Sequence, residues 1–326
     1  MSEIHHERFR LLVKICKLYY EDGLNQQEIA KRLGISRPHV SRMLTTAKNE
    51  GIVRVSIHNP FSVEQELEKA LIETFGIPDA VVVESAGDDP ARLLAQLGRT
   101  GAALLESVLQ DGDIVGIMAG RTVAGVADEL DYFARDGLQF VPLVGGWGSE
   151  GGAWHSGANT MAFANKLKAK YWMMHAPAVV QSEEVGRLLR EEPDIGGVLK
   201  LARSGRVALI SIGEVSGEAT IVKAGNISAG ELKALEERGA VANLCASFID
   251  PDGREIDFPG NSRFIGLTAG ELRAIPSVIG IAGGTSKVKA VAAALRGRWL
   301  DILVTDAGTA QAVLDNHRNH EAKQGG

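Results

Sequence analysis

The apolar positions of this chain follow one spacing up to about residue 60 and another beyond it. Over 24–44, LNQQEIAKRLGISRPHVSRML, the residues Ile29, Leu33, Ile35, Val40 and Leu44 recur as they would on two short helices sharing one core. Gly34 falls where the first helix must stop, because glycine adopts positive φ at little cost. Ser36 is placed to cap the second helix, and Pro38 sits in its first turn, where a missing N–H is harmless. A preceding helix, roughly 8–20, directs Phe9, Leu12, Val13, Ile15, Cys16 and Tyr19 to the same core, and GIVRVSI (51–57) alternates as a strand does. Residues 1–60 therefore read as a winged helix-turn-helix domain.

After Pro60, SVEQELEKALIETFG (62–76) has Val63, Leu67, Ala70, Leu71 and Phe75 at helical spacing. Short β-branched runs then alternate with helical stretches. Strands are predicted at 80–84, 114–118, 140–144, 207–212, 278–282 and 302–306, and helices near 89–110, 121–134, 158–170, 183–191, 285–296 and 307–315. This alternation predicts an α/β domain over 61–326, a doubly wound, mostly parallel sheet covered on both faces. The polar tail 316–326 is expected to fray. No repeat or low-complexity tract interrupts the pattern.

Charge changes the picture once it is divided. The chain carries −6 overall, but residues 1–60 hold ten Lys/Arg against six Asp/Glu, +4, and residues 61–326 hold 25 against 35, −10. Only the first domain is suited to meet DNA phosphates. Arg37, His39, Ser41 and Arg42 project from the start of the second helix, the part that reaches base edges in a major groove; Ser36 precedes them, and Gln26 and Gln27 open the helix before. The polar start of the chain and its short apolar runs predict a cytoplasmic protein without a membrane segment. Cys16 and Cys245 lie in apolar patterns and are expected to be buried free thiols, with no metal and no cofactor implied.

Ligands of open α/β sheets bind where strands run into helices at their carboxyl ends. Three such loops carry suitable chemistry. In GIMAGRTVAGVADEL (116–130), Gly120 ends a strand and Arg121 and Thr122 open a helix, so that N–H groups and the helix dipole face an anion. In GIAGGTSKVKAVAAAL (280–295), Gly283 and Gly284 permit close approach, Thr285 or Ser286 can cap, and Lys287 opposes the helix dipole unless an anion accompanies it; the stretch does not match a Walker A loop. The third, VGGWGSEGGAWHSGANT (144–160), contains GxGxxG at Gly146, Gly148 and Gly151 but lacks a following ribose-binding acid, and reads as a lid or wall with His155, Ser156 and Asn159 as hydroxyl partners. His175 is expected to be a core histidine, and Asp306 a cap for the last helix. The four scattered tryptophans suggest no stacking platform.

The helix-turn-helix together with GIMAGRT, FVPLVGG, GANTMAFANKL, VALISIG and AGGTSKVKAVAAALRG…DILVTDAGTAQAVL resembles the SorC/DeoR-like family of bacterial sugar-responsive regulators, over about residues 8–315. The resemblance implies an effector domain like sugar-phosphate isomerases and deaminases, a homo-oligomer (dimer or tetramer), operator DNA as partner, and a sugar or polyol, typically phosphorylated, as effector. It places that ligand among Gly120, Arg121, Thr122, the Gly145–Gly146 loop, the segment ahead of Asn159, and Lys287, with Lys287 on the phosphate; the loop chemistry above adds Gly283, Gly284 and Thr285 to the candidate site. Where the family usually carries an acid after a GAV-like run, this chain has Asn243, which both donates and accepts. No catalytic residue is assigned. The alternatives are a sugar-phosphate isomerase or deaminase with an appended DNA-binding domain, which would need a carboxylate paired with His or Lys, and a DNA-binding scaffold without an effector.

Overall fold

The computed structural model describes residues 3–49, 52–53, 62–87, 89–146, 155–223, 225–258 and 260–324. The chain divides into two compact units, Met1–Pro60 and Phe61–Gly326.

In the first unit, α1 (Glu3–Tyr20), α2 (Gln26–Leu33) and α3 (Arg37–Asn49) enclose a core of Leu12, Ile15, Cys16, Leu18, Ile29, Ala30, Val40, Met43, Leu44 and Ala47. Asn25 caps α2 by accepting from the N–H groups of Gln27 and Glu28, and Glu28 reaches back to the Asn25 N–H, a closed capping box. Gly34 ends α2 at φ 67°, the left-handed turn expected of it. Phe9 departs from expectation. It is 53% exposed, because the stripe of α1 that its partner helices cover begins only at Leu11 and Leu12. Most of the proposed wing strand, 51–57, lies outside the described residues. Val53 is described, and its N–H donates to Ala47 O.

The second unit opens with α4 (Val63–Phe75), capped by Ser62, and β1 (Asp79–Val83). There follow α5 (Pro90–Val108), β2 (Ile114–Ile117), α6 (Arg121–Glu129), β3 (Gln139–Pro142), α7 (Ser156–Leu167) and the short β4 (Lys170–Tyr171). Next come α8 (Glu183–Glu191), α9 (Pro193–Arg203), β5 (Val207–Ser211), β6 (Gly213–Glu214), α10 (Thr220–Lys223), α11 (Ala229–Glu237), β7 (Ala242–Leu244) and β8 (Ser247–Ile249). The chain closes with α12 (Ala269–Arg273), β9 (Ser277–Ile281), a 3₁₀ turn at Thr285–Lys287, α13 (Val288–Arg296), β10 (Ile302–Asp306) and α14 (Ala307–Gln324).

Seven strands form one parallel sheet in the order β1-β10-β9-β5-β2-β3-β4; β6, β7 and β8 form a small antiparallel sheet. Along the large sheet successive residues alternate faces. Val207 and Leu209 of β5 join Leu97, Leu105, Val123, Val126 and Phe163 of α5, α6 and α7. Ala208 and Ile210 join Leu71, Phe75, Leu199, Val291 and Val313 of α4, α9, α13 and α14 on the other side. Burial on both faces is why the strands read as continuous apolar runs. Both cysteines are buried and unbridged.

Three further expectations are corrected. α14 runs through the polar tail to Gln324, held by Arg296 donating to Asn316 (2.6 Å) and by His320 against Asp252 (2.6 Å). Polar residues here pair with the body of the domain instead of fraying. His175 is exposed and not in the core: Met174 and Ala176 are buried in alternation with it, so a short extended stretch at the sheet edge turns it outward. The segment 285–296 starts as the 3₁₀ turn, which places Lys287 at the junction with α13 rather than inside its first turn.

Candidate functional site

β2 leads on to β3 on one side of the sheet, whereas its neighbour β5 leads toward β9 on the other. The loops leaving β2 and β5 therefore part, and a crevice opens at their carboxyl ends. It is lined by Met118–Thr122 after β2, Ser211–Glu214 after β5, Ile281–Gly283 at the end of β9, and Lys287. Ala219–Ile221 and Asn243 close it from the side of the small sheet.

Two glycines let these loops come together. Gly120 stands at φ 133°, and a Cβ there would lie 2.6 Å from Ser211 Oγ. At Gly283 a Cβ would lie 2.7 Å from Asp306 Oδ2. Asp306 has two duties. It caps α14 by accepting from Thr309 N–H at 3.0 Å, as its position suggested, and it also accepts from the Gly284 N–H at 3.1 Å. α6 starts at Gly120 with no side-chain cap and no acidic residue in its first turn, which leaves its leading N–H groups and the positive end of its dipole facing the crevice. Lys287 is 29% exposed, 3.8 Å from Glu214 Oε2. Burial lowers its ammonium from the ordinary lysine value; the Glu214 carboxylate opposes that and the nearby Arg121 charge adds to it.

Of the sequence-derived effector residues, Gly120, Arg121, Thr122, Asn243, Gly283 and Lys287 meet in this pocket. The others do not line it. Asn159, 1% exposed, donates from Nδ2 to Met118 O (3.1 Å) and Gly120 O (3.2 Å), and Ser156 Oγ donates to Ile117 O (3.0 Å), so the start of α7 braces the β2–α6 loop from beneath. Gly145 and Gly146 pack against Ala176 and Pro177, with the Gly145 N–H on Ile265 O. Gly284 is turned to Asp306, and Thr285 is exposed; neither it nor Ser286 caps the turn they begin. Gly148, Gly151, Trp147 and Trp154 lie outside the described residues. Glu214 was not singled out. Its local sequence, IGEVSG, has no signature, and only the pairing of β6 with β7 brings it to the pocket.

In the first unit, Ser36 accepts from the His39 N–H at 3.3 Å and starts α3. Gln27, Arg37 and Arg42 are exposed, and Gln26, His39 and Ser41 are half-buried. Val40, Met43, Leu44 and Ala47 hold the opposite side of α3 in the core. Thr45, exposed one turn past Ser41 and donating to its carbonyl at 3.1 Å, extends the outward polar face beyond the residues anticipated.

A helix-turn-helix followed by an open parallel sheet with a crevice of this kind defines a transcriptional regulator with a sugar-binding domain. Comparisons with known proteins agree: residues 59–315 match the family model described as "Putative sugar-binding domain", and residues 10–65 match a Crp-like helix-turn-helix domain. The chain belongs to the SorC/DeoR-like family of sugar-binding transcriptional regulators. It is 31% identical to the deoxyribonucleoside regulator of Bacillus subtilis (strain 168), over 95% of this chain and 99% of the relative. It is 34% identical to the transcriptional regulator LsrR of Escherichia coli O139:H28, over 93% and 94% of the two chains. The crystal structure of the full-length sorbitol operon regulator SorC from Klebsiella pneumoniae superposes with a TM-score of 0.80 at 30% identity, over 96% of this chain and 99% of that one.

Proposed function

We propose that this protein regulates a carbohydrate or polyol catabolic operon and is controlled by a small phosphorylated sugar or polyol bound in the crevice above β2, β5 and β9. One observation carries the reading: an uncapped helix start, Arg121 and the half-buried Lys287 converge on a pocket that also holds a buried amide, Asn243, and a half-buried carboxylate, Glu214. The first group suits a phosphate, the second a hydroxylated body. Relatives named as a deoxyribonucleoside regulator and a sorbitol operon regulator support the ligand class.

On DNA, α3 enters the major groove, with Arg37, Ser41 and Arg42 toward base edges and Gln26, Gln27, Ser36 and His39 at its margin. The protein acts as a homo-oligomer, because palindromic half-sites require two such helices about one helical turn apart. The effector regulates by binding two operator-binding geometries unequally.

The test is a thermal-shift screen against free and phosphorylated sugars and alditols, followed by operator titration with the best ligand. A selective stabilisation by one phosphorylated compound that also changes operator affinity is expected. Loss of that response in Lys287→Ala assigns the phosphate; an unchanged response removes Lys287 from the site. The Lys287–Glu214 pair gives one reason to assay turnover as well, since an amine beside a carboxylate is what sugar isomerisation or deamination needs. Catalysis abolished by Lys287→Ala would replace the sensor reading with the enzymatic one.

A further inference from the structure

The pocket is lined by two unlike sets of polar groups. In one, the leading N–H groups of α6, Arg121 and Lys287 offer donors and positive charge. In the other, the polar side chains have already directed their protons elsewhere. Thr122 Oγ1 donates to Ile281 O at 3.2 Å, and Ser211 Oγ donates to Ala119 O at 2.8 Å. Asn243, 2% exposed, gives its amide protons to Cys245 O (3.2 Å) and Ser247 O (3.0 Å). Two carbonyl partners fix the amide orientation, so Asn243 presents only Oδ1 to the ligand space, and nothing among the described residues donates to it.

Glu214 sharpens this asymmetry. Its Oε1 accepts a long 3.4 Å contact from Ser216 Oγ. Its Oε2 is shut off from solvent yet has no hydrogen-bond partner. The Lys287 ammonium, at 3.8 Å, is too distant to be a donor to it. A carboxylate with one buried oxygen lacking a donor and the other held only by a 3.4 Å contact is under-satisfied; Glu214 lines the pocket, and a hydroxyl bound there completes its bonds at Oε1, or at Oε2 once the side chain turns. An ammonium on the ligand would meet Lys287 and Arg121 at the same place and be repelled. A neutral hydroxyl would not.

We propose that Glu214 is a specificity-determining residue: its carboxylate accepts a hydrogen bond from one hydroxyl of the effector, so the pocket selects polyhydroxylated phosphates and rejects the analogue lacking that hydroxyl. The inference rests on the crevice being the effector site. Sites built to bond a hydroxyl discriminate strongly against its absence, because their own polar groups are then left unpaired.

The experiment is a calorimetric double-mutant cycle on the full-length protein. The tightest binder of a panel of pentose, hexose and alditol phosphates is titrated together with each of its monodeoxy analogues, into wild type and into Glu214→Gln. In wild type, at least one deoxy position should weaken binding roughly tenfold or more, the size of a bond to a charged acceptor. In Glu214→Gln that one penalty should shrink to about threefold or less while the penalties at other positions persist. Inorganic phosphate, titrated separately, should bind Glu214→Gln more tightly than wild type, since a negative charge has left the side of Lys287; this also shows that the variant retains a folded pocket. Identical deoxy penalties in both proteins would overturn the proposal. If wild type binds neither inorganic phosphate nor any sugar phosphate, the phosphate reading fails, and the same cycle with free alditols decides Glu214 separately. Silence there as well overturns both.

Discussion

Asp113 and Arg206 show how much one partly buried pair carries. Asp113, 6% exposed, accepts from Arg206 Nε at 2.6 Å and from the Gln110 N–H at 2.7 Å, and Arg206 also donates to Val108 O at 2.7 Å. The pair ties the end of α5 and the start of β2 to the start of β5. Burial alone would raise the Asp113 carboxyl, but the Arg206 and Gln110 hydrogen bonds and the Arg206 charge outweigh it and hold it below the usual aspartate value. A carboxyl depressed in the folded state adds stability that is complete above its unfolded pKa and lost as pH falls through the folded one. Asp113→Asn should therefore lower the unfolding free energy in urea by about 3 kcal/mol at neutral pH, and by progressively less toward acid. Equal losses at pH 7 and pH 3 would contradict this. At the pocket, Gly120→Ala should cost about 1–3 kcal/mol through its positive φ and weaken effector binding with it, measurable by denaturation and calorimetry on one sample.

At the scale of elements, legibility in the sequence followed element length and local chemistry. The six predicted strands are found because each is an apolar run covered on both faces, β1 less completely on one of them, and α2 and α3 because cap, turn glycine and apolar spacing coincide. β4, β6, β7 and β8 have two or three residues each and no run to detect. Their pairing is long-range, as with Gly213 against Asn243. That is why half of the candidate site, the glycine and cation loops, could be read from spacing, whereas Glu214 could not. Asn159 stands beneath the candidate site: its amide donates to the backbone of the β2–α6 loop at Met118 and Gly120. The capping box of α2 is worth about 1 kcal/mol, so Asn25→Ala should lower the stability of the first unit by that amount in thermal or urea denaturation. Arg37→Ala and Arg42→Ala should each weaken operator binding, and an arginine that meets a phosphate should reduce the salt slope by about one. Unchanged affinity in both would remove α3 from the groove.

For the whole molecule, the division of charge sets how it meets DNA. A protein of net charge −6 and isoelectric point near 5.8 must concentrate its phosphate contacts in the unit carrying +4. The salt dependence of operator binding should then be insensitive to exposed lysines of the second unit. Lys233→Ala, on α11 and paired only loosely with Glu237 at 3.8 Å, is expected to leave the log–log slope unchanged in a titration from low to physiological salt. A reduced slope would place the acidic unit against the duplex. Composition shifts where the packing does, at Pro60 and Phe61.

The bonds from the Gly284 amide to Asp306 and to Thr309 Oγ1, at 3.1 and 2.7 Å, give the molecule a built-in clock reference. In hydrogen–deuterium exchange that amide should be slow with or without effector, because its protection comes from α14 and not from the ligand. The amides that open α6, uncapped and facing the crevice, should exchange quickly in the free protein and slow when an anion seats on them. The contrast between the two peptides would time occupancy of the pocket without a label, a mutation or an operator.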